Sequence, residues 1–337
     1  MMLLIFAILM VAAVWAVYPP PPFDLELADV TLYLAVATTC DKETYPTRTY
    51  VGPSKGFEYK ATLYDSKTDT NGMLGIHEGK IFVLFRGTTS AKNWLDDGEA
   101  WQDDPSYPGC PECAIHHGFH RCMDSVRGQM LAALADLREA HPSYPVVVGG
   151  HSLGCVKTSV YNWSHPTPTL PTAHCPLPTA HCPLPTAHCP LPTAHLYSAL
   201  QPTNLTPSPI ISSGALATLA AVDIINAGLP KSQLLHVTFG SPRVGNPAFA
   251  AYANSLLPTA QRLTHWKDPV PHAPPSYLPL VGKYQHILSE VYEDESHALR
   301  ACVGVDDDQC SMQWRDSECQ GADHTLYLNL CTSCSCV

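Results

Sequence analysis

The sequence predicts an α/β fold with a mostly parallel central sheet flanked by helices, and three observations carry that expectation. Tyr144-Pro145-Val146-Val147-Val148-Gly149-Gly150 is a short apolar, β-branched run without polar alternation, as a strand buried on both faces must be. Two further short apolar runs, at residues 80–85 and 234–237, also read as strands, as does Arg262-Leu263-Thr264-His265. The 144–150 run leads into Gly150-His151-Ser152-Leu153-Gly154, and an alanine-rich helix is legible from Gly214 onward.

A chain of 337 residues exceeds what one α/β domain of roughly 250 to 300 residues needs, so one domain with additions is expected. Its hydrophobic fraction of 45% and charged fraction of 15% suit a folded core rather than extended disorder. The net charge of -11 excludes the basic footprint of a nucleic-acid binder, and a neutral ligand fits better.

Residues 1–16 form an apolar run that ends before Val17-Tyr18-Pro19-Pro20, with Val14 and Ala16 as small residues at a cleavage point, and they read as a signal peptide. The run has no Lys or Arg at its start, which leaves a membrane anchor as the competing reading, although it is short of the roughly 20 residues a span needs. Fourteen cysteines, many closely spaced, agree with export to an oxidising compartment and with disulfides. Cys110-Pro111-Glu112-Cys113 has zinc-knuckle spacing, but no second pair follows at finger spacing, and no metal is expected there.

The unit Pro-Thr-Ala-His-Cys-Pro-Leu repeats with a period of seven from Pro171 to His195. Its proline density forbids helix and central strand alike, and without apolar a and d positions on a continuous helix it is no coiled coil. The repeated His-Cys steps at 174, 181 and 188 follow from duplication of a short unit, and the sequons at Asn162 and Asn204 fall in the same stretch. Removing residues 155–213 joins Gly154 to Gly214 and gives Gly-His-Ser-Leu-Gly-Gly-Ala-Leu-Ala-Thr-Leu-Ala-Ala, a strand-end turn running straight into a helix. The expected organisation is therefore a signal peptide at 1–16, one domain from 17–154 and 214–337, and an in-frame insertion at 155–213 such as an unspliced intron or a disordered loop. Without that segment ten cysteines remain, an even number.

Gly-x-Ser-x-Gly at a strand end has a mechanical meaning, because the serine occupies a sharp turn and the glycines keep side chains clear of neighbouring backbone. Ser152 is the candidate nucleophile. A serine hydroxyl needs a histidine base and a carboxylate that fixes the imidazole tautomer. Asp268, in Trp266-Lys267-Asp268-Pro269-Val270-Pro271, lies just past the strand ending at His265 and is the candidate acid, although a turn Asp before proline is the plain alternative. For the base, spacing leaves His272, His286, His297 and His324 open.

Phe85-Arg86-Gly87-Thr88 with Asn93-Trp94, His117-Gly118-Phe119, Gly150 to Gly154, Thr238-Phe239-Gly240-Ser241-Pro242-Arg243-Val244-Gly245-Asn246, Asp268-Pro269-Val270-Pro271 and Asp323-His324 occur in this order. In them the chain resembles the class 3 (fungal-type) lipase family of the α/β-hydrolase superfamily, which includes Rhizomucor-like lipases and fungal feruloyl esterases. The resemblance implies an α/β-hydrolase fold, with Ser152, Asp268 and His324 as the catalytic triad and His286 next in line as base. It implies an oxyanion hole from Thr88 and from the N–H of Leu153. His117, Phe119 and His151 read as packing or hydrogen-bonding residues, and residues 238–246 as shaping the core beneath the site.

The resemblance also places a lid over Ser90 to Trp101, with Asn93, Trp94 and Leu95 at its centre, but Asp96, Asp97 and Glu99 make it more polar than a lipid-binding helix. It implies a Cys110–Cys113 disulfide and pairs Cys40 with a C-terminal cysteine, Cys334 being preferred over Cys331 and Cys336; Cys302 with Cys310 is a further expected pair. The implied activity is hydrolysis of carboxylic esters, acylglycerols first, by a secreted monomer that works without a cofactor and meets its substrate at a lipid–water interface. Two alternatives stand beside it: a feruloyl-esterase-like hydrolase of soluble esters, and a silent lipid- or glycan-binding product of the interrupted chain.

Overall fold

Eight strands form one sheet whose spatial order is the order of the chain. They are β1 (Glu58–Asp65), β2 (Thr70–His77), β3 (Lys80–Phe85), β4 (Val146–His151), β5 (Leu234–Phe239), β6 (Ala260–His265), β7 (Glu290–Glu293) and β8 (Leu299–Ala301). The first three pair antiparallel, β3 to β7 run parallel, and β8 returns antiparallel on β7. The computed structural model describes residues 23–87, 101–151 and 213–337. By its contacts the chain divides into Met1–Ser159 with Ser208–Val337, and Val160–Pro207; every described residue belongs to the first unit. The fold is the α/β-hydrolase arrangement that the sequence predicts.

Among the described residues four helices cover the sheet: α1 (Leu25–Ala37), α2 (His117–Ala140), α3 (Ser213–Asn226) and α4 (Pro247–Leu256). Three of the starts have a local cause. Asp24 accepts from the Leu27 N–H, the His116 Nδ1 from the Gly118 N–H, and Asn246 from the Phe249 N–H with Pro247 in the first turn, so orphan helix donors are satisfied. Parallel neighbours in chain order, joined by right-handed crossovers, send their connecting helices to one face. Ile81, Val83, Phe85, Val146 and Val148 accordingly pack with Phe119, Leu216, Ala220 and Phe249 of α2, α3 and α4. The alternate residues Phe82, Leu84, Val147, Val237, Phe239 and Leu263 pack with Leu32, Leu34 and Val36 of α1. Both faces of the central strands are thus apolar, which is why residues 146–148 carry no alternation; each such side chain stabilises by about 1.5–3 kcal/mol.

Disulfides join Cys110 to Cys113, Cys302 to Cys310, Cys40 to Cys334 and Cys331 to Cys336. Cys122 is packed inside the core from α2, and Cys319 is partly buried. Among the described residues no helix is long and apolar enough to cross a membrane. Residues 1–22, 88–100 and 152–212 lie outside the described residues, and with them the expected signal peptide, the lid up to residue 100 and the insertion up to residue 212.

Candidate active site

The loop leaving β6 carries Asp268. Its N–H closes a turn onto the His265 carbonyl at 2.9 Å, and its Oδ1 accepts from the Val270 N–H at 2.8 Å, so the proline-bounded turn holds the carboxylate at the carboxyl end of the sheet. His324 sits in a single 3-10 turn, Asp323–Thr325, and is fully buried. The two side chains meet 56 positions apart in the chain: His324 Nδ1 lies 2.8 Å from Asp268 Oδ2. A carboxylate can only accept, so Nδ1 carries the proton and Nε2 is left as the basic nitrogen. Among the described residues that buried Nε2 has no hydrogen-bond partner.

Tyr327, which the sequence reading passed over, donates its hydroxyl to the same Oδ2. Burial alone would push the Asp268 carboxyl up; the positive charge available on His324, with the hydrogen bonds from His324, Tyr327 and Val270, outweighs it and holds the group below its ordinary value. The Tyr327 hydroxyl is pushed well up by burial and then by the Asp268 charge, so it stays a donor. Gly240, directly after β5, closes the pocket from below at φ +56°: a Cβ there would stand 2.8 Å from Asp268 Oδ2 and 2.9 Å from both His324 Cε1 and the Tyr327 hydroxyl. The 238–246 motif thus contributes more than packing.

The same pair adjoins the end of β4. His151, the last residue of that strand, stacks its ring on His324 with centroids 4.9 Å apart and donates from Nε2 to the His324 carbonyl at 3.0 Å. Burial, reinforced by the neighbouring His324, keeps the His151 imidazole neutral by driving its pKa far down. The next helix begins on the same spot. Ser213 opens α3, one residue before the expected start at Gly214, and its hydroxyl donates to the His151 carbonyl. A side chain on Gly150 would run into the Ser213 carbonyl at 2.4 Å, so the strand and helix can meet only because Gly150 has none.

The other three histidines left open by spacing have other partners. His286 donates from Nε2 to the Pro271 carbonyl at 2.7 Å, His272 pairs with Asp316 at 3.2 Å, and His297 with Glu293 at 2.6 Å. His286 and Arg243 instead brace the acid loop from behind, since Arg243 donates to the carbonyls of His272 at 2.6 Å and Pro274 at 2.9 Å. Beneath them Arg262 and Glu290 form a fully buried ion pair at 2.9 Å, completed by the Thr264 hydroxyl and the Ser311 N–H. On the far side Asp103 accepts from His117 at 2.7 Å and His120 at 3.2 Å, and Trp101, 44% exposed, stacks on His117. Ser152, Leu153, Thr88, Asn93, Trp94 and Leu95 fall outside the described residues, although the neighbouring strands β3 and β4 end at Phe85, three residues before Thr88, and at His151, next to Ser152.

A sheet of sequential parallel strands with helices on both faces, and a buried Asp–His pair beside the strand that leads into Gly-x-Ser-x-Gly, define a member of the α/β-hydrolase superfamily. The profile of the family Lipase (class 3) matches residues 82–163 and 213–278, a match that stops short of His324. A lipase of Rhizomucor miehei is 29% identical over 212 residues, covering 62% of this chain and 42% of the relative. The secreted mono- and diacylglycerol lipase A of Penicillium camembertii is 27% identical over 272 residues, covering 79% of this chain and 64% of the relative. The chain thus spans about two fifths to two thirds of the length of these relatives. Among solved structures, a triacylglycerol lipase whose catalytic centre is a serine protease triad superposes with TM-score 0.67 at 24% identity, over 93% of this chain and 97% of that one. The mono- and diacylglycerol lipase of Aspergillus oryzae gives 0.65 at 22% identity, over 94% and 100%. In sequence and in fold the chain is similar to the class 3 lipase family.

Proposed function

We propose that this protein is a secreted serine hydrolase that cleaves carboxylic esters, acylglycerols foremost, through an acyl-enzyme. One observation carries the reading: a buried Asp268–His324 pair with a free basic Nε2 adjoins His151, the residue bonded to Ser152. In this mechanism Nε2 takes the proton from the Ser152 hydroxyl as its oxygen attacks the ester carbonyl. The tetrahedral oxyanion is held by the N–H groups of Leu153 and Thr88, with the Thr88 hydroxyl assisting. His324 then returns the proton to the leaving alcohol, and water repeats the sequence to release the acid and restore Ser152. Asp268 fixes the tautomer and stabilises the imidazolium without taking the proton, and Tyr327 with the Val270 N–H keep it ionised.

The relatives named as mono- and diacylglycerol lipases support an acylglycerol substrate and an extracellular site of action, consistent with four disulfides among the described residues. The acidic residues 96, 97 and 99 favour a lid with weak affinity for lipid, so rates on emulsified long-chain triglyceride and on a dissolved short-chain ester are to be compared. The interruption at 155–213 belongs to the same reading. The family match breaks off after 163 and resumes at 213, and α3 starts against the end of β4, as a two-residue connection would place it. With residues 155–213 removed, Gly154 takes the place of Ser213 before Gly214.

A fluorophosphonate probe tests both halves, because it labels only an activated serine. The form lacking residues 155–213 is expected to label at Ser152 and to lose labelling on His324→Ala while remaining folded, and the full-length chain is expected not to label. Labelling that survives His324→Ala moves the base elsewhere, and a full-length chain that labels and turns over ester refutes the insertion reading.

A further inference from the structure

His265 at the end of β6, Glu293 at the end of β7 and His297 in the following turn bring one ligand atom each within 4.8 Å of one another. None belongs to the Asp268–His324 pair. We infer that these three side chains form a zinc(II) site that braces the segment carrying His324. Two imidazoles and a carboxylate with an open fourth position are a ligand set that suits zinc.

The supports around the cluster are those of a built site. His265 donates from Nδ1 to the Asp323 carbonyl at 2.9 Å, which fixes the ring and leaves Nε2 with its lone pair. Both oxygens of Glu293 accept from the Leu328 N–H at 3.0 Å. Glu293 has no exposed side-chain surface, yet its ion-pair partner among the described residues is a histidine rather than a lysine or arginine. His297 is held at φ +65° in a turn closed by Asp294, which accepts from Ser296 and Ala298. A four-coordinate ion with bonds of about 2.0–2.1 Å needs ligand atoms about 3.4 Å apart. The widest separation therefore closes by at most about 1.4 Å, a movement open to His297, whose side chain is 25% exposed and leaves the fourth position to water. An ion there ties β6 and β7 to residues 323 and 328, on either side of His324.

Zinc chloride titrated into the full chain, followed by calorimetry and by the unfolding midpoint, tests this. One saturable site is expected, with a rise in midpoint of a few degrees. His297→Gln keeps a donor for Glu293 and is expected to weaken binding at least tenfold and abolish the rise, while Asp103→Asn, next to His117 and His120, changes neither. His297→Asn serves the same purpose should the glutamine variant not fold. X-ray absorption of the one-to-one complex is expected to show only nitrogen and oxygen scatterers at about 2.0–2.1 Å. Absence of binding, wild-type affinity in the His297 variants, loss of the site in Asp103→Asn, or a sulfur shell at about 2.3 Å from the His-Cys repeats each overturns the assignment.

Discussion

Replacing Gly240 with alanine puts one methyl group where three functional atoms converge. Its Cβ would stand 2.8 Å from Asp268 Oδ2, 2.9 Å from His324 Cε1 and 2.9 Å from the Tyr327 hydroxyl. Ordinary contact begins near 3.4 Å, so each neighbour must retreat by about 0.5 Å. None is the free end of a flexible chain: Asp268 is held by three hydrogen bonds, and His324 and Tyr327 are fully buried. Overpacking of this kind costs about 1–3 kcal/mol, and a left-handed backbone at φ +56° adds about 1–2 kcal/mol for any residue with a Cβ. A stability loss of about 2–5 kcal/mol is expected, read from urea unfolding. The pair is displaced as well, and misplacement by about 1 Å costs about 100-fold in turnover. Under conditions where both proteins are fully folded, kcat on a soluble ester should therefore fall by about 10- to 100-fold with KM little changed, in the form that the fluorophosphonate labels. A Gly240→Ala protein within threefold of the parent kcat refutes the placement of Gly240 against the pair.

Asp268→Asn keeps the shape but reverses the hydrogen-bond roles around His324, and kcat is expected to drop by about 10⁴-fold with folding retained, as steady-state kinetics and circular dichroism will show. Stability should decline as the pH falls from 6.5. His116 and His236 are buried as neutral imidazoles with pKa values pushed down to about 4, and burial drives those of His151 and His286 well down too, so the unfolded chain, at about 6.5, takes up protons the folded one refuses. The stability is complete above pH 6.5 and is lost towards pH 4; at pH 5 each site costs up to about 2 kcal/mol, and His236→Gln should flatten a plot of the urea midpoint against pH. Removing the Cys40–Cys334 bridge, which closes a separation of 294 residues, by a double alanine substitution should cost about 3–5 kcal/mol in non-reducing urea titrations.

Much of this was legible because it is local. The β4 run announces double-sided burial, β3 was read at its observed bounds, and the motif order brings Asp268 and His324 to notice. Strand β2 went unread, since Thr70-Asn71-Gly72-Met73-Leu74-Gly75-Ile76-His77 has two glycines and an asparagine where a buried strand normally shows β-branched residues. Tyr327 could not be found from spacing either: it reaches Asp268 across 59 positions, and a Tyr three residues after a histidine signals nothing by itself. Arg243 is similar. Its motif was visible, but its grip on the His272 and Pro274 carbonyls exists only once the loop after β6 folds back over β5.

The meeting of β4 and α3 separates what an interruption does to the fold from what it does to the chemistry. Because the strand end and the helix start touch, the connection between them has its two ends fixed side by side whatever its length. Closing a connection of 61 residues instead of two raises the chain-entropy cost only as the logarithm of the length, on the order of 3 kcal/mol, which a domain with two apolar cores can absorb. A tight turn has no such tolerance, since its serine is aimed by a few torsions that only a taut connection enforces. On the proposed function, loop length at this one junction decides whether the nucleophile is in place while leaving the scaffold intact.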